Sequence, residues 1–174
     1  MKSKMAKYPL ILGLIAFIAG LLLALVYNVT APIIEKNTNK RENAIILEMF
    51  GESSKITNIS DTLNEEEKGK GIYAALKVQS SGIYYVYKIS TADAFDGDES
   101  SYVVAIDSNG KVCKIEFTTA GDSYASGYAS DSYESSIKGK TSLSDSDVVS
   151  GATKTGKPII AAINAAISHK GRVR

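Results

Sequence analysis

Three patterns of apolar and polar positions follow one another along the chain. Residues 8–34 carry no charge and are mostly Leu, Ile, Ala, Val and Phe. At about 1.5 Å of rise per residue, a helix over most of this run exceeds a hydrocarbon layer of roughly 30 Å, which predicts a transmembrane helix over 8–31. Pro32 then suits the start of a second helical stretch, in which Ile34, Ala44, Ile45, Leu47 and Phe50 recur at helical spacing. Residues 32–51 therefore read as a linking helix that Gly51 ends. The polar stretch after it holds Glu65, Glu66 and Glu67 in a row, a pattern of a solvated face.

From residue 72 the period changes to two. Ala74, Leu76 and Val78 share one strand face, and Ile83, Tyr85, Tyr87 and Ile89 share another, with a turn at residues 80–82. After a polar loop with Phe95, Asp96, Gly97 and Asp98, residues 102–117 read as a hairpin turning at Asn109 and Gly110. Cys113 is expected beside Ile115 and Phe117 on its apolar face, as a small buried thiol. Residues 118–136 are small and polar, which predicts a flexible loop, yet Tyr124, Tyr128 and Tyr133 are spaced so that one could cover a planar ligand. The last periodic segment is a helix with Pro158 as its first residue, Ile159, Ile160, Ile163, Ala166 and Ile167 as its buried face and Gly171 as its stop. The fold class expected is α+β: one N-terminal transmembrane helix, then an extracytoplasmic domain with an antiparallel sheet over 52–174.

Composition narrows the chemistry. The chain has 174 residues, 20 basic and 19 acidic, so no global field favours nucleic acid. One cysteine, Cys113, excludes an internal disulfide and a thiolate metal cluster, and one histidine, His169, argues against a histidine-built metal site or a Ser-His-Asp triad. No catalytic or metal-ligating set is expected. Lys2, Lys4 and Lys7 before the apolar run favour a cytoplasmic tail over 1–7, although Lys36, Lys40 and Arg41 beyond it weaken the asymmetry. A cleaved signal ending near Val29 and Ala31 is the competing reading. The run is longer than the roughly 7 to 15 apolar residues of a signal, and Pro32 hinders cleavage, so a retained anchor is favoured.

The candidate chemistry lies in SGATKTGKP, residues 150–158. Its G-x-x-x-x-G-K spacing imitates a nucleotide-binding P-loop, but Pro158 stands where a Ser or Thr would bind Mg²⁺ and has no N–H to offer a phosphate. A tight turn before a helix N-terminus does favour a negatively charged group, such as a phosphate esterified to a hydroxyl.

With Asp147 included, DVVSGAT resembles the flavinylation motif Dxx(S/T)GAT of the FMN-binding domain family. In that family a flavin transferase links FMN through a phosphoester to the last threonine. The resemblance implies Thr153 as acceptor, with Asp147, Ser150, Gly151 and Ala152 as elements that the transferase recognises or the turn demands, and Thr155 matching one step beyond. The likeness continues along the chain: a basic tail, one span, VYNVTAPIIEKN passing into a helix, the hairpin AIDSNGKVCKIEF, SGAT and a closing amphipathic helix. This order is similar to that in the G subunit of Rnf-type complexes and the C subunit of Na⁺-translocating NADH:quinone reductases. Two stretches depart: Thr118, Thr119, Ala120, Gly121, Asp122 and Ser123 stand where the family has a sequence like ETPGLG, and Gly156 stands where it often has serine.

The resemblance implies covalent FMN as one stop in an electron relay through an ion-translocating membrane complex. Its implied partners are other membrane subunits, one of them bearing a second FMN, and the transferase during maturation. Two alternatives stay open. One is a stand-alone membrane-tethered flavodomain serving extracellular acceptors, which would purify without polytopic partners. The other is a non-redox surface protein, which would show neither added mass nor flavin fluorescence.

Overall fold

The computed structural model describes residues 2–92 and 97–173, so Phe95 and Asp96 of the expected loop lie outside the described residues. The chain divides into two units, Met1–Lys40 and Arg41–Arg174. In the first, helix α1 (Lys2–Phe50, continuing into the second unit) runs through Pro32 without restarting there. Its segment Tyr8–Ala31 is long and apolar enough to cross a membrane, and large side chains such as Leu10, Phe17 and Leu23 are exposed along it.

The second unit begins with the last turns of α1, where the buried stripe is Glu42 and Ile46 with Met49 and Phe50 beside them. Ala44 is exposed, so the stripe differs from the expected one. A carboxylate holds a core position because it is paired. Lys88 reaches Glu42 at 3.2 Å and donates to Asn43 at 3.0 Å, and the Tyr73 hydroxyl donates to Glu42 as well. Hydropathy alone places both charges outside; only their pairing makes burial tolerable. Gly51, at φ 85°, closes the helix by donating to the Leu47 carbonyl.

Five strands form an antiparallel sheet in chain order: β1 (Lys55–Asn58), β2 (Ile72–Gln79), β3 (Ile83–Ala92), β4 (Glu99–Asp107) and β5 (Val112–Thr119). One face carries Tyr85, Tyr87, Ile89, Tyr102, Val104 and Ile106 into the main core, and the other carries Leu76, Val78, Val86, Val103 and Ala105 against Ile46. Burial on both faces explains why the interior strand β4 reads YVVAI instead of alternating. The β4–β5 turn forms as expected: the Asp107 carboxylate accepts from the amides of Asn109 and Lys111, and Gly110 has φ 79°.

The sequence expectation fails at Cys113 because of a bulge. Ala105 faces Lys114 while Ile106 faces Val112, so Cys113 is the extra residue. It leaves the side of Ile115 and Phe117, packs against the smaller cluster and is only partly buried. Burial first, and the Asp107 carboxylate second, push its thiol above the usual range.

Four further elements pack on the larger core: α2 (Glu65–Gly69), α3 (Ala125–Tyr128), α4 (Asp131–Ile137) and α5 (Thr153–Arg172). The acidic run is not uniformly solvated, since Glu67 is buried, caps α2 reciprocally with Asn64 and pairs with Arg172. Residues 118–136 are not one flexible loop. Ser130 caps α4, and Tyr128 and Tyr133 are core residues whose rings meet edge to face at 4.8 Å. Small polar residues there end and begin two short helices, and the tyrosines supply what those helices bury. Helix α5 starts at Thr153, five residues before the expected Pro158, and runs past Gly171 to Arg172. Ile159, Ile160, Ile163 and Ala166 are buried as expected; Ile167 is only partly buried, and Ala162 and His169 complete the face.

Candidate functional site

A short 3₁₀ turn over Asp145–Asp147 opens the site segment, capped by Ser144 and Asp147 on each other. The Asp147 carboxylate accepts the Ser144 amide at 2.9 Å and pairs with Lys140. Burial alone would push this carboxyl up; the bonds from Lys140 and from the Ser144 amide outweigh it and hold the group below the usual range. The chain then turns tightly, with the Ala152 amide donating to the Val149 carbonyl at 3.0 Å. Gly151 at φ 82° takes a conformation that side chains resist. Ala152 is buried, and Thr153 follows as the first residue of α5 with its side chain exposed.

Of the residues chosen from sequence, Gly151, Ala152, Thr153 and Thr155 come together, with Tyr124 and Lys154, around a cavity of about 260 Å³. Ser150 is exposed but outside its lining, and Asp147 lines a different cavity together with Lys140. Thr155 is buried and donates to the Asp122 carboxylate at 3.1 Å, so its hydroxyl is engaged inward. Among the three tyrosines, only Tyr124 lines this cavity, and it is half exposed. Beyond Lys154 a second cavity of about 620 Å³ is lined by Lys68, Lys70, Lys157, Thr91 and Pro158 among others. Among the described residues, neither lining includes a carboxylate.

This geometry suits an anion. Thr153 opens a helix of 20 residues, at the end where the helix dipole favours negative charge. Lys154 and Lys157 lie within the first turns. The residues present therefore fit a phosphate ester on Thr153 with an aromatic neighbour in Tyr124. Among the described residues, no histidine lines either cavity.

Sequence reasoning missed three supports. The Tyr128 hydroxyl accepts the Val149 amide at 3.0 Å and donates to the Ala152 carbonyl at 3.1 Å, bridging both sides of the turn. That hydroxyl lies 1.8 Å from where a Cβ on residue 156 would sit, which accounts for glycine there. Asp122, in the departing stretch 118–123, joins Thr155 to the Ala125 amide. The four- and five-residue tyrosine spacing was a usable signal for Tyr128; nothing in the sequence marked Asp122 or Lys140.

Comparison with known families agrees with this layout. The model of the RnfG N-terminal region matches residues 1–49, and the model of the FMN-binding domain matches residues 97–168, a stretch that holds the whole Thr153 cavity. No curated protein matches the chain.

Proposed function

Because the chain belongs to the RnfG-type FMN-binding subunits, we propose that it carries FMN covalently, as a phosphoester on Thr153, and relays electrons within an Rnf-type ion-translocating membrane complex. The observation that carries this reading is the exposed Thr153 side chain at the start of α5, beside Gly151 at positive φ and Tyr124. Bound flavin supplies one- and two-electron chemistry, so the chain needs no catalytic residues of its own. The chain's part is to hold and tune. The α5 dipole and Lys154 counter the phosphate charge, Gly151 lets the backbone approach, Ala152 leaves room, and Tyr124 offers an aromatic face. Thr155 steadies the first turn through Asp122, and Ser150 and Asp147 shape the turn before it.

In this reading residues 1–7 are a cytoplasmic tail, 8–31 span the membrane, 32–51 link, and 52–174 form the FMN-binding domain outside the cytoplasm. Lys2, Lys4 and Lys7 favour that orientation. The partners are other membrane subunits of the complex, among them a second FMN-bearing one, and a flavin transferase during maturation.

The test is intact mass of the chain expressed with the transferase, before and after Thr153→Val. An FMN-sized increment that disappears in the variant is expected. Persistence of the increment, or its transfer to Ser150 or Thr155, overturns the assignment. Purification from native membranes without polytopic partners would leave a flavodomain that works alone.

A further inference from the structure

Asp147 lies six residues before Thr153 and lines a different cavity. Its side chain is only 8% exposed. One oxygen is paired with the Lys140 ammonium and the other accepts the Ser144 amide. Lys140 in turn is fixed to the sheet: its carbonyl accepts the Val112 amide at 2.9 Å, and the neighbouring Gly139 amide donates to the Val112 carbonyl at 2.8 Å. The start of the motif is thereby fastened to the first residue of β5. Its middle is fastened by the Tyr128 hydroxyl, which bonds Val149 on one side of the turn and Ala152 on the other. Neither Lys140 nor Tyr128 belongs to the motif.

We propose that Lys140 and Tyr128 are positioning residues for flavin attachment: they hold residues 147–152 in the one shape that presents the Thr153 hydroxyl, and Asp147 serves the reaction through Lys140. The proposal rests on Thr153 being the acceptor. Attachment forms a bond from Thr153 Oγ to the FMN phosphorus and breaks the bond from that phosphorus to the leaving group of a flavin phosphoanhydride donor. The hydroxyl proton departs with the leaving phosphate, and nothing is oxidised or reduced. Such a transfer is sensitive to the placement of its nucleophile. A turn released at Lys140 or Tyr128 offers the hydroxyl in many positions and reacts from few of them.

The experiment follows flavin incorporation with time in the full chain, using purified transferase and the phosphoanhydride donor, read by intact mass and in-gel fluorescence. Wild type and Thr153→Val are the controls; Lys140→Met, Lys140→Arg, Asp147→Asn and Tyr128→Phe are the probes. Lys140→Met and Asp147→Asn should each slow incorporation by roughly ten- to a hundredfold, and Tyr128→Phe by about tenfold. Lys140→Arg should recover most of the rate, because a guanidinium can keep the ion pair with Asp147. Amide exchange should quicken at residues 148–152 while the strand amides stay protected. Normal incorporation in Lys140→Met beside failure in Asp147→Asn would mean that the transferase reads Asp147 itself, and the proposal falls. No incorporation in wild type is a different outcome, one that removes the acceptor reading instead.

Discussion

The two ends of α5 solve opposite problems. At its C-terminal end His169 is fully buried, with Nε2 2.8 Å from the Thr62 hydroxyl and Nδ1 2.9 Å from the Tyr87 hydroxyl. Its ring meets that of Tyr87 edge to face, Arg172 pairs with Glu67 of α2, and Lys170 donates to the Ser108 carbonyl. At the N-terminal end Thr153 is exposed, the turn before it is held by Tyr128 and Lys140, and the first helical turn is held by Asp122 through Thr155. One end uses its own polar residues to lock the helix onto strand β3 and helix α2. The other keeps its own hydroxyl outward and borrows its rigidity. On the proposed reading Thr153 has to be reachable by another protein and yet held in place, and this division meets both demands.

The sharpest break in the comparison is Thr153→Val. On the proposed reading the exposed hydroxyl serves attachment and not packing, so all flavin should be lost while stability stays within about 0.5 kcal/mol. In-gel fluorescence and a thermal melt of the same sample check both halves; a large loss of stability would make Thr153 part of the scaffold. Gly156→Ala should show the reverse. Its new Cβ would lie 1.8 Å from the Tyr128 hydroxyl and 2.6 Å from Cζ, both in a fully buried ring. We expect destabilisation of about 3 kcal/mol, with flavin incorporation falling as the turn loses Tyr128. Adding Tyr128→Phe should recover part of the stability, because the oxygen is the nearest atom.

How far these ends could be read from sequence differs for a physical reason. The apolar span, four of the five strands, the Asn109–Gly110 turn and most of the buried face of α5 follow from periodicity and turn chemistry, which act within a few residues. The resemblance through DVVSGAT singled out the cavity residues Gly151, Ala152, Thr153 and Thr155. What escaped depends on partners far along the chain. Glu42 is buried only because Lys88 faces it, Glu67 because Arg172 does, and Cys113 turns away because one residue too many stands opposite β4. Tyr128 and Tyr133 looked like loop residues because their neighbours are small and polar. The start of α5 was misplaced for a local reason: Pro158 can open a helix, but here it sits in the second turn of one already begun at Thr153.

His169→Phe tests the locked end. The substitution keeps an aromatic ring but leaves the buried Tyr87 hydroxyl without its partner, at a cost of about 2 kcal/mol. Flavin incorporation at Thr153 should be unchanged, since the cavity there shares no residue with His169. A chemical denaturation curve beside an incorporation assay decides it. Incorporation that falls with stability would show that the two ends are one cooperative device.

The smallest effect separates the ends by pH. His169 is held below its ordinary value by burial, which outweighs the upward pull of the Glu67 carboxylate; Arg172 lowers it further and Thr62 raises it. In the unfolded chain the imidazole titrates near about 6.5. Below that value the unfolded state takes up a proton that the folded state refuses, so this stability is complete above about pH 6.5 and is lost as pH falls toward the folded value. The slope cannot exceed about 1.4 kcal/mol per pH unit for one proton. Asp147 sits at the other end and in another window. Its carboxyl is also held low, so its contribution is present above the unfolded value of about 3.9 and lost only as pH falls through the lower folded value. Denaturation of the full chain in detergent from pH 8 to 3 should therefore show two declines, the first removed by His169→Phe and the second reduced by Asp147→Asn. A profile flat between pH 7 and 5 in the wild type would mean that the imidazole is charged inside the fold, and the contrast between a locked end and a presented end would lose its clearest measure.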